Sequence, residues 1–308
     1  MADAYVSTTT LSNAVQAALD MYVRASLRSM PLLRQVADTR PVQVDKPGSS
    51  VALYTRGDLA AATTPLSELV DPDAVALPNP TAITLTPLEY GNVSIASLKV
   101  RATSFFDVDP DQRDAITWNM RDTLDQLVRE VLSGGTNIRY ANGRASTVTV
   151  TPTDNIKSSD IRFIVAKLRG ANAQPRRGEL YWCGIHPDVS VDLRSETGAG
   201  AWRDSHMYAA PGMFWPGEIG VYEGCFFVET ARMKQANDGA AGKAVFRTIF
   251  AGKEALAEGV VVEPEVRVGV VPDKLNRFYP LGWYGYLGWA LFRQAAIYDF
   301  QSGASIDP

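Results

Sequence analysis

Between residues 41 and 106 the chain cannot build a core of its own, and this limits what it can fold into. Prolines 41, 47, 65, 72, 78, 80 and 87 punctuate the stretch. β-prone runs stand at either end, SVALYT at 50–55 and TAITLTPLEYGNVSIASLKV at 81–100, with Pro and polar residues between them. Such runs bounded by turn formers read as strands, so a long, open, two-stranded excursion is expected. An isolated hairpin is marginal in water, so this one must lie on something else. Its charge is one-sided. Between Arg56 and Lys99 there is no Lys or Arg, whereas Asp58, Glu68, Asp71, Asp73 and Glu89 are present. The segment reads either as a solvated acidic loop or as a surface complementary to basic residues on a neighbour.

The rest of the chain alternates helical and β signals, giving an α+β expectation. Residues 11–30 carry Leu11, Val15, Leu19, Tyr22, Val23 and Leu27 at helical spacing, with Pro31 following. Asp109-Pro110-Asp111-Gln112 reads as a helix start with Asp109 as cap. Ile116, Met120, Leu124, Leu127, Val128 and Val131 then share one face, and Gly134-Gly135 stops the helix. Spanning 110–133, it would be about 36 Å long, a structural beam. A second helix is expected at 158–172, with Arg162, Lys167 and Arg169 on it and Arg176 and Arg177 just beyond. A buried strand at 179–185 and a short helix after His186-Pro187 come next. The 197–217 stretch reads as loop. Strands are expected at 219–229, 244–251, 259–271 and 275–292. In the last of these Trp283, Leu287, Trp289 and Leu291 alternate with Tyr284, Tyr286 and Phe292. Gly282, Gly285 and Gly288 would weaken that strand unless something packs closely against them.

Composition removes several function classes. At 46% hydrophobic and 21% charged residues the chain can support a sizeable core. Its net charge of −4 and lack of a Lys/Arg-rich run argue against a protein built to grip nucleic-acid phosphates. Cys183 and Cys225 are the only cysteines, too few for a disulfide framework, so a reducing compartment is expected. The N-terminus shows no signal-peptide pattern. The longest apolar run, 278–292, is shorter than a membrane span and holds three glycines. A soluble, cytosolic protein without membrane contact is the expectation.

Chemistry-bearing patterns are weak. Cys183, His186, His206 and Cys225 nominally form a metal set, but His206 and Cys225 are 19 apart, unlike zinc-finger spacing. A buried strand thiol and a helix-capping histidine explain Cys183 and His186 better. Asp107, Asp109, Asp111 and Asp114 fit helix-start electrostatics. Gly198 and Gly200 sit in a small-residue loop without the Lys-Ser/Thr of a phosphate cradle. No nucleophile elbow or dinucleotide fingerprint occurs. The aromatic run 278–292 lacks interleaved Lys or Arg, so a packed face fits it better than base stacking. The stretch GEIGVYEGCFFVET at 217–230 has turn glycines, Tyr222, Phe226 and Phe227, and no group with a chemical task. No catalytic, cofactor or metal site is expected. The rival reading is an α/β enzyme using Cys183, His186 and His206.

The ordered succession of PGSSVALYT (47–55), TTPLSELVDPDAVAL (63–77), LSGGTN (132–137), LYWCGIHPDVSVDLRSETGAGAWRD (180–204), GEIGVYEGCFFVETARMK (217–234) and PLGWYGYLGWALFR (280–293) resembles the major capsid protein of tailed double-stranded DNA bacteriophages. The similar branch is the one typified by the N-four phage coat protein, and the fold is named after phage Hong Kong 97. The resemblance implies an N-terminal arm at 1–46, an extended loop at 47–106 and a peripheral domain at 107–179 with its spine helix at 107–133. It further implies an axial domain at 180–260, holding the Tyr222/Phe226/Phe227 surface, and a C-terminal return at 261–308. It implies a structural subunit without cofactor that forms pentamers and hexamers of an icosahedral head around double-stranded DNA. The implied setting is the virion, with assembly in the bacterial cytoplasm. The implied partners are other copies of the chain, a portal, a separate scaffolding protein, a decoration protein and packaged DNA contacted non-specifically. The short start is not expected to hold a long N-terminal scaffolding segment that is later removed, so a separate scaffolding protein, or none, is expected. The covalent Lys–Asn link of some members has no expected counterpart, since the loop has no Lys from 47 to 98. An encapsulin-like compartment shell is the alternative within the fold. Asp58, Glu68, Asp71 and Asp73 are the expected acidic contacts between subunits, facing Arg162, Lys167, Arg169, Arg176 or Arg177. The 11–30 helix is expected to dock on its own or an adjacent subunit.

Overall fold

The computed structural model describes residues 28–41, 50–66, 68–69, 71–104, 108–197, 202, 218–270, 273 and 275–306. Most of the expected 11–30 helix, together with His206, Gly198 and Gly200, lies outside the described residues. Residues 28–30 are irregular, and Arg28 pairs with Asp114 at 2.7 Å.

In chain order the elements are β1 (Ala37–Pro41), β2 (Val51–Thr55), β3 (Thr81–Leu85), β4 (Leu88–Ser97), α1 (Leu98–Thr103), α2 (Val108–Leu132), β5 (Ile138–Tyr140), α3 (Ser158–Gly170), β6 (Tyr181–Ile185) and α4 (Pro187–Ser195). They continue with β7 (Glu218–Tyr222), β8 (Cys225–Glu229), β9 (Gln235–Ala236), β10 (Val245–Ala251), β11 (Leu256–Val268), β12 (Phe278–Leu291) and β13 (Ile297–Ser302). Among the described residues they form a four-stranded sheet, β1-β11-β12-β4, and a seven-stranded sheet, β5-β13-β10-β6-β8-β7 with β9 on β10. A separate hairpin pairs β2 with β3.

The beam is α2, 25 residues and about 37 Å long. It starts at Val108, so Asp109 stands in the first turn and is not the cap. There Asp109 and Asp111 complement the positive end of the helix dipole, and Asp109 pairs with Arg101. Pro110 is harmless in a first turn, whose N–H groups have no intrahelical acceptor. Ile116, Leu124, Val128 and Leu132 form the buried stripe, while Met120, Leu127 and Val131 are half-buried. The helix ends before Gly134, and Ser133 Oγ donates to Arg129 O at 2.8 Å.

α2 packs against β12 and β4 of the four-stranded sheet. Trp283 Nε1 donates to Asn119 Oδ1 at 2.9 Å, joining sheet to helix. The close packing that the β12 glycines require is present. A Cβ at Gly282 would stand 2.7 Å from Asn92 O, and one at Gly288 2.7 Å from Thr86 O. The β-prone run at 81–100 is not one strand. It breaks at Thr86-Pro87: β3 stays with β2, and β4 joins β12 in the antiparallel sheet.

The main core fills the space between the seven-stranded sheet, α3, α4 and the C-terminal half of α2. The 219–229 run is two strands, β7 and β8, joined at Glu223-Gly224 with φ values of 47 and 84. Paired positive φ values are what a tight two-residue hairpin turn needs, and glycine takes one of them without steric cost. Tyr222, Phe226 and Phe227 are all buried in this core, and Phe227 meets Phe250 edge-on with centroids 6.4 Å apart. Each buried Phe contributes about 2–3 kcal/mol of apolar transfer free energy. These rings therefore shape the subunit from inside and present nothing to a neighbour.

Candidate assembly surface

From Arg56 to Pro80 the described residues have no helix or strand, and all are exposed. Asp58, Glu68, Asp71 and Asp73 have no ion pair among the described residues. Leu59, Leu66, Leu69, Val75 and Leu77 are exposed beside them, Leu69 at 94%. Only the base of the arm is anchored: Leu53, Ile83 and Leu85 pack with Ala257, Ala290 and Phe292 in a small satellite core. A contiguous set of exposed apolar side chains on a monomer marks an interaction surface. Acid and leucine together leave this arm suited to a partner surface that is both apolar and basic.

The basic residues expected to oppose it fall into two groups. Arg176 is already used inside the chain. Its side chain is 8% exposed, pairs with Asp38 at 3.0 Å and donates to Val36 O at 2.6 Å. Burial lowers its pKa against the favourable field of Asp38. Arg177 pairs with Glu218 at 3.0 Å, and Arg162 with Glu223 at 2.8 Å. Lys167 and Arg169 remain exposed on α3, and Lys167 lies over the Phe163 ring at 5.4 Å. The structure thus commits three of the five cations to carboxylates of their own chain. Arg113 and Arg121 are exposed on α2 without an ion pair among the described residues, a pair the sequence reading passed over. They stand eight residues apart, about 2.2 helical turns.

Two carboxylates that the sequence reading also missed, Asp125 buried and Asp38 half-buried, tie distant segments of the body together. Asp125 on α2 accepts from Leu33 N at 2.7 Å and from Arg232 Nε at 2.6 Å, and Arg232 also pairs with Asp122. Burial raises the Asp125 pKa, with Arg232 and Leu33 N pulling the other way. Asp38 accepts from Arg176 and from Glu254 N, the latter at 2.6 Å in the turn that carries the chain from β10 to β11. Such pairs join residues far apart in sequence, so no local spacing reveals them.

The enzyme reading finds no constellation among the described residues. Cys183 and Cys225 are fully buried in β6 and β8, and burial pushes both thiols well above their ordinary pKa, away from thiolate. His186 caps α4, its Nδ1 accepting from Asp188 N at 3.3 Å, and its ring packs on Phe246. No group of three or more metal-ligating side chains occurs among the described residues. No helix among them is long and apolar enough to cross a membrane.

A family model described as phage capsid protein matches residues 96–272. No curated protein matches. The fold is similar to the capsid of cyanophage P-SCSP1u, with a TM-score of 0.71 at 12% identity over 96% of this chain and 94% of that one. It is also similar to the head of Helicobacter pylori bacteriophage KHP40, with a TM-score of 0.68 at 12% identity over 98% of both chains. The capsid of Ralstonia phage GP4 gives 0.67 at 14% identity over 87% of both.

Proposed function

The chain belongs to the phage capsid protein family, and from that premise we propose that it is the major capsid subunit that builds the icosahedral head of a tailed phage. It has the Hong Kong 97 capsid fold and a structural role. The observation that carries the reading is the acidic, leucine-bearing arm at 56–80, whose described residues are all exposed and which is anchored only at its base. A subunit pays for such an arm only if another copy covers it.

Each contact in a closed shell can be modest, because closure multiplies them. Heterologous contacts repeated about an axis close into rings, here pentamers and hexamers. Asp58, Glu68, Asp71 and Asp73 meet cations of the adjacent copy. Lys167 and Arg169, and Arg113 and Arg121 on α2, are the ones left available; Arg162, Arg176 and Arg177 already pair within the chain. The helix expected at 11–30 docks its Leu11/Val15/Leu19/Tyr22 face on its own or an adjacent subunit. The shell encloses double-stranded DNA without base recognition and meets a portal, a scaffolding protein and a decoration protein. Assembly takes place in the host cytoplasm, and the subunit performs no catalysis.

Electron microscopy of the purified chain tests this: closed shells or five- and six-fold capsomers are expected. A monodisperse monomer under all assembly conditions would sink the reading. Shells isolated from infected cells that hold protein cargo in place of DNA would move it to a compartment shell.

A further inference from the structure

Asn142-Gly143 is the sole Asn-Gly pair in the sequence. An asparagine followed by glycine is prone to cyclise, because glycine has no side chain to obstruct its backbone nitrogen. The Gly143 nitrogen bonds to Asn142 Cγ, the Cγ–Nδ2 bond breaks and ammonia leaves. Water then opens the succinimide to aspartate or isoaspartate.

Here the pair is exposed yet held shut. Asn142 sits at φ 52, ψ 24, and Gly143 at φ 67. At that ψ the Gly143 nitrogen lies away from the Asn142 side chain, so attack needs a backbone rotation. Both ends of the amide are also tied. Nδ2 donates to Asp154 Oδ1 at 2.7 Å, and Lys157 Nζ donates to Asn142 Oδ1 at 2.7 Å. Asp154 is fixed in turn by Arg144 Nε, Thr151 N and Thr151 Oγ1, each at 2.8 Å.

We propose that Asn142 is a deamidation site gated by this clamp, and that the reaction is a one-way latch on the 141–157 loop. While the loop is closed the amide is unreactive. When the loop opens the amide converts to a carboxylate, which cannot donate to Asp154 and instead faces it as a like charge. The loop then cannot reclose as before, and Asp154, whose carbonyl accepts from Gly303 N at 3.0 Å, loosens from the C-terminal segment.

Peptide mass spectrometry after warm incubation of the full chain at mildly alkaline pH tests it. Deamidation at Asn142 is expected at least about tenfold faster in urea than in the folded protein, since closure must be undone first. Lys157→Met, at an exposed position, should fall between the two. Asn92 and Asn137, followed by Val93 and Ile138, are internal controls that should stay intact. Asn142→Asp should lower the thermal midpoint. Equal rates folded and unfolded, or an inert Asn142 in urea, overturn the gated site. An unchanged midpoint for Asn142→Asp overturns the latch. A lasting loss of ammonia with Lys157 joined to Asn142 overturns both, since Nζ would then be the nucleophile.

Discussion

Asp154 concentrates more hydrogen bonds than any spacing argument could foresee. Burial opposes its ionisation, but Asn142, Thr151 and Arg144 together outweigh burial and hold the carboxyl well below the usual range. A depressed folded pKa gives stability that is fully present above the unfolded titration near pH 4 and is lost as pH falls below it toward the folded pKa. Asp154→Asn should therefore cost about 2 kcal/mol at neutral pH, and its deficit against the parent should shrink on acidification. Urea denaturation of the unassembled subunit across pH checks this; a deficit that stays constant into acid would exclude the carboxylate as its source. In the sequence, Asp154 is one polar residue in a Gly/Asn/Thr-rich connection. Its partners Arg144 and Thr151 are near in the chain, but only the folded loop turns them toward it.

At the scale of elements, β12 shows what periodicity can and cannot decide. Its alternating aromatics mark a strand, and its glycines mark close approach. The approaching atoms, Asn92 O of β4 at Gly282 and Thr86 O in the break just before β4 at Gly288, lie far away in sequence. Gly288→Val forces a Cβ into the Thr86-Pro87 break, so a loss of about 2 kcal/mol is expected from overpacking. Hydrogen exchange should show β4 losing protection while β10 and β13 keep theirs. Equal loss in both sheets would mean that the glycine serves the whole fold and not the β4–β12 seam. The start of α2 carries a similar lesson. Acids and a proline at 109–111 announce a helix start in sequence, but which residue stands outside the first turn depends on where the preceding chain arrives.

For the whole molecule, the arm is expected to be separable from the body in stability and needed for the proposed assembly. Replacing 57–79 with a short Gly/Ser turn removes no buried side chain among the described residues and leaves the Thr55–Thr81 pair in place. The thermal midpoint of the unassembled subunit should hold or rise slightly, because a shorter loop costs less closure entropy. Shells should not form. Normal shells from this variant, seen by electron microscopy, would remove the arm from the assembly mechanism; a collapsed midpoint would show that it belongs to the subunit's own fold.

The sequence by itself determined the one-sided charge of the arm, its inability to form a core, the beam helix and the strand character of the aromatic runs. These rest on propensity and periodicity, interactions between residues a few positions apart. Only the tertiary structure decided that Arg176 pairs with Asp38, that 81–100 is divided among a hairpin, a sheet and the start of α1, and that Tyr222, Phe226 and Phe227 all point inward. Each of these depends on which distant segment arrives alongside, and burial and ion pairing are fixed by that arrival, not by the neighbours in the chain.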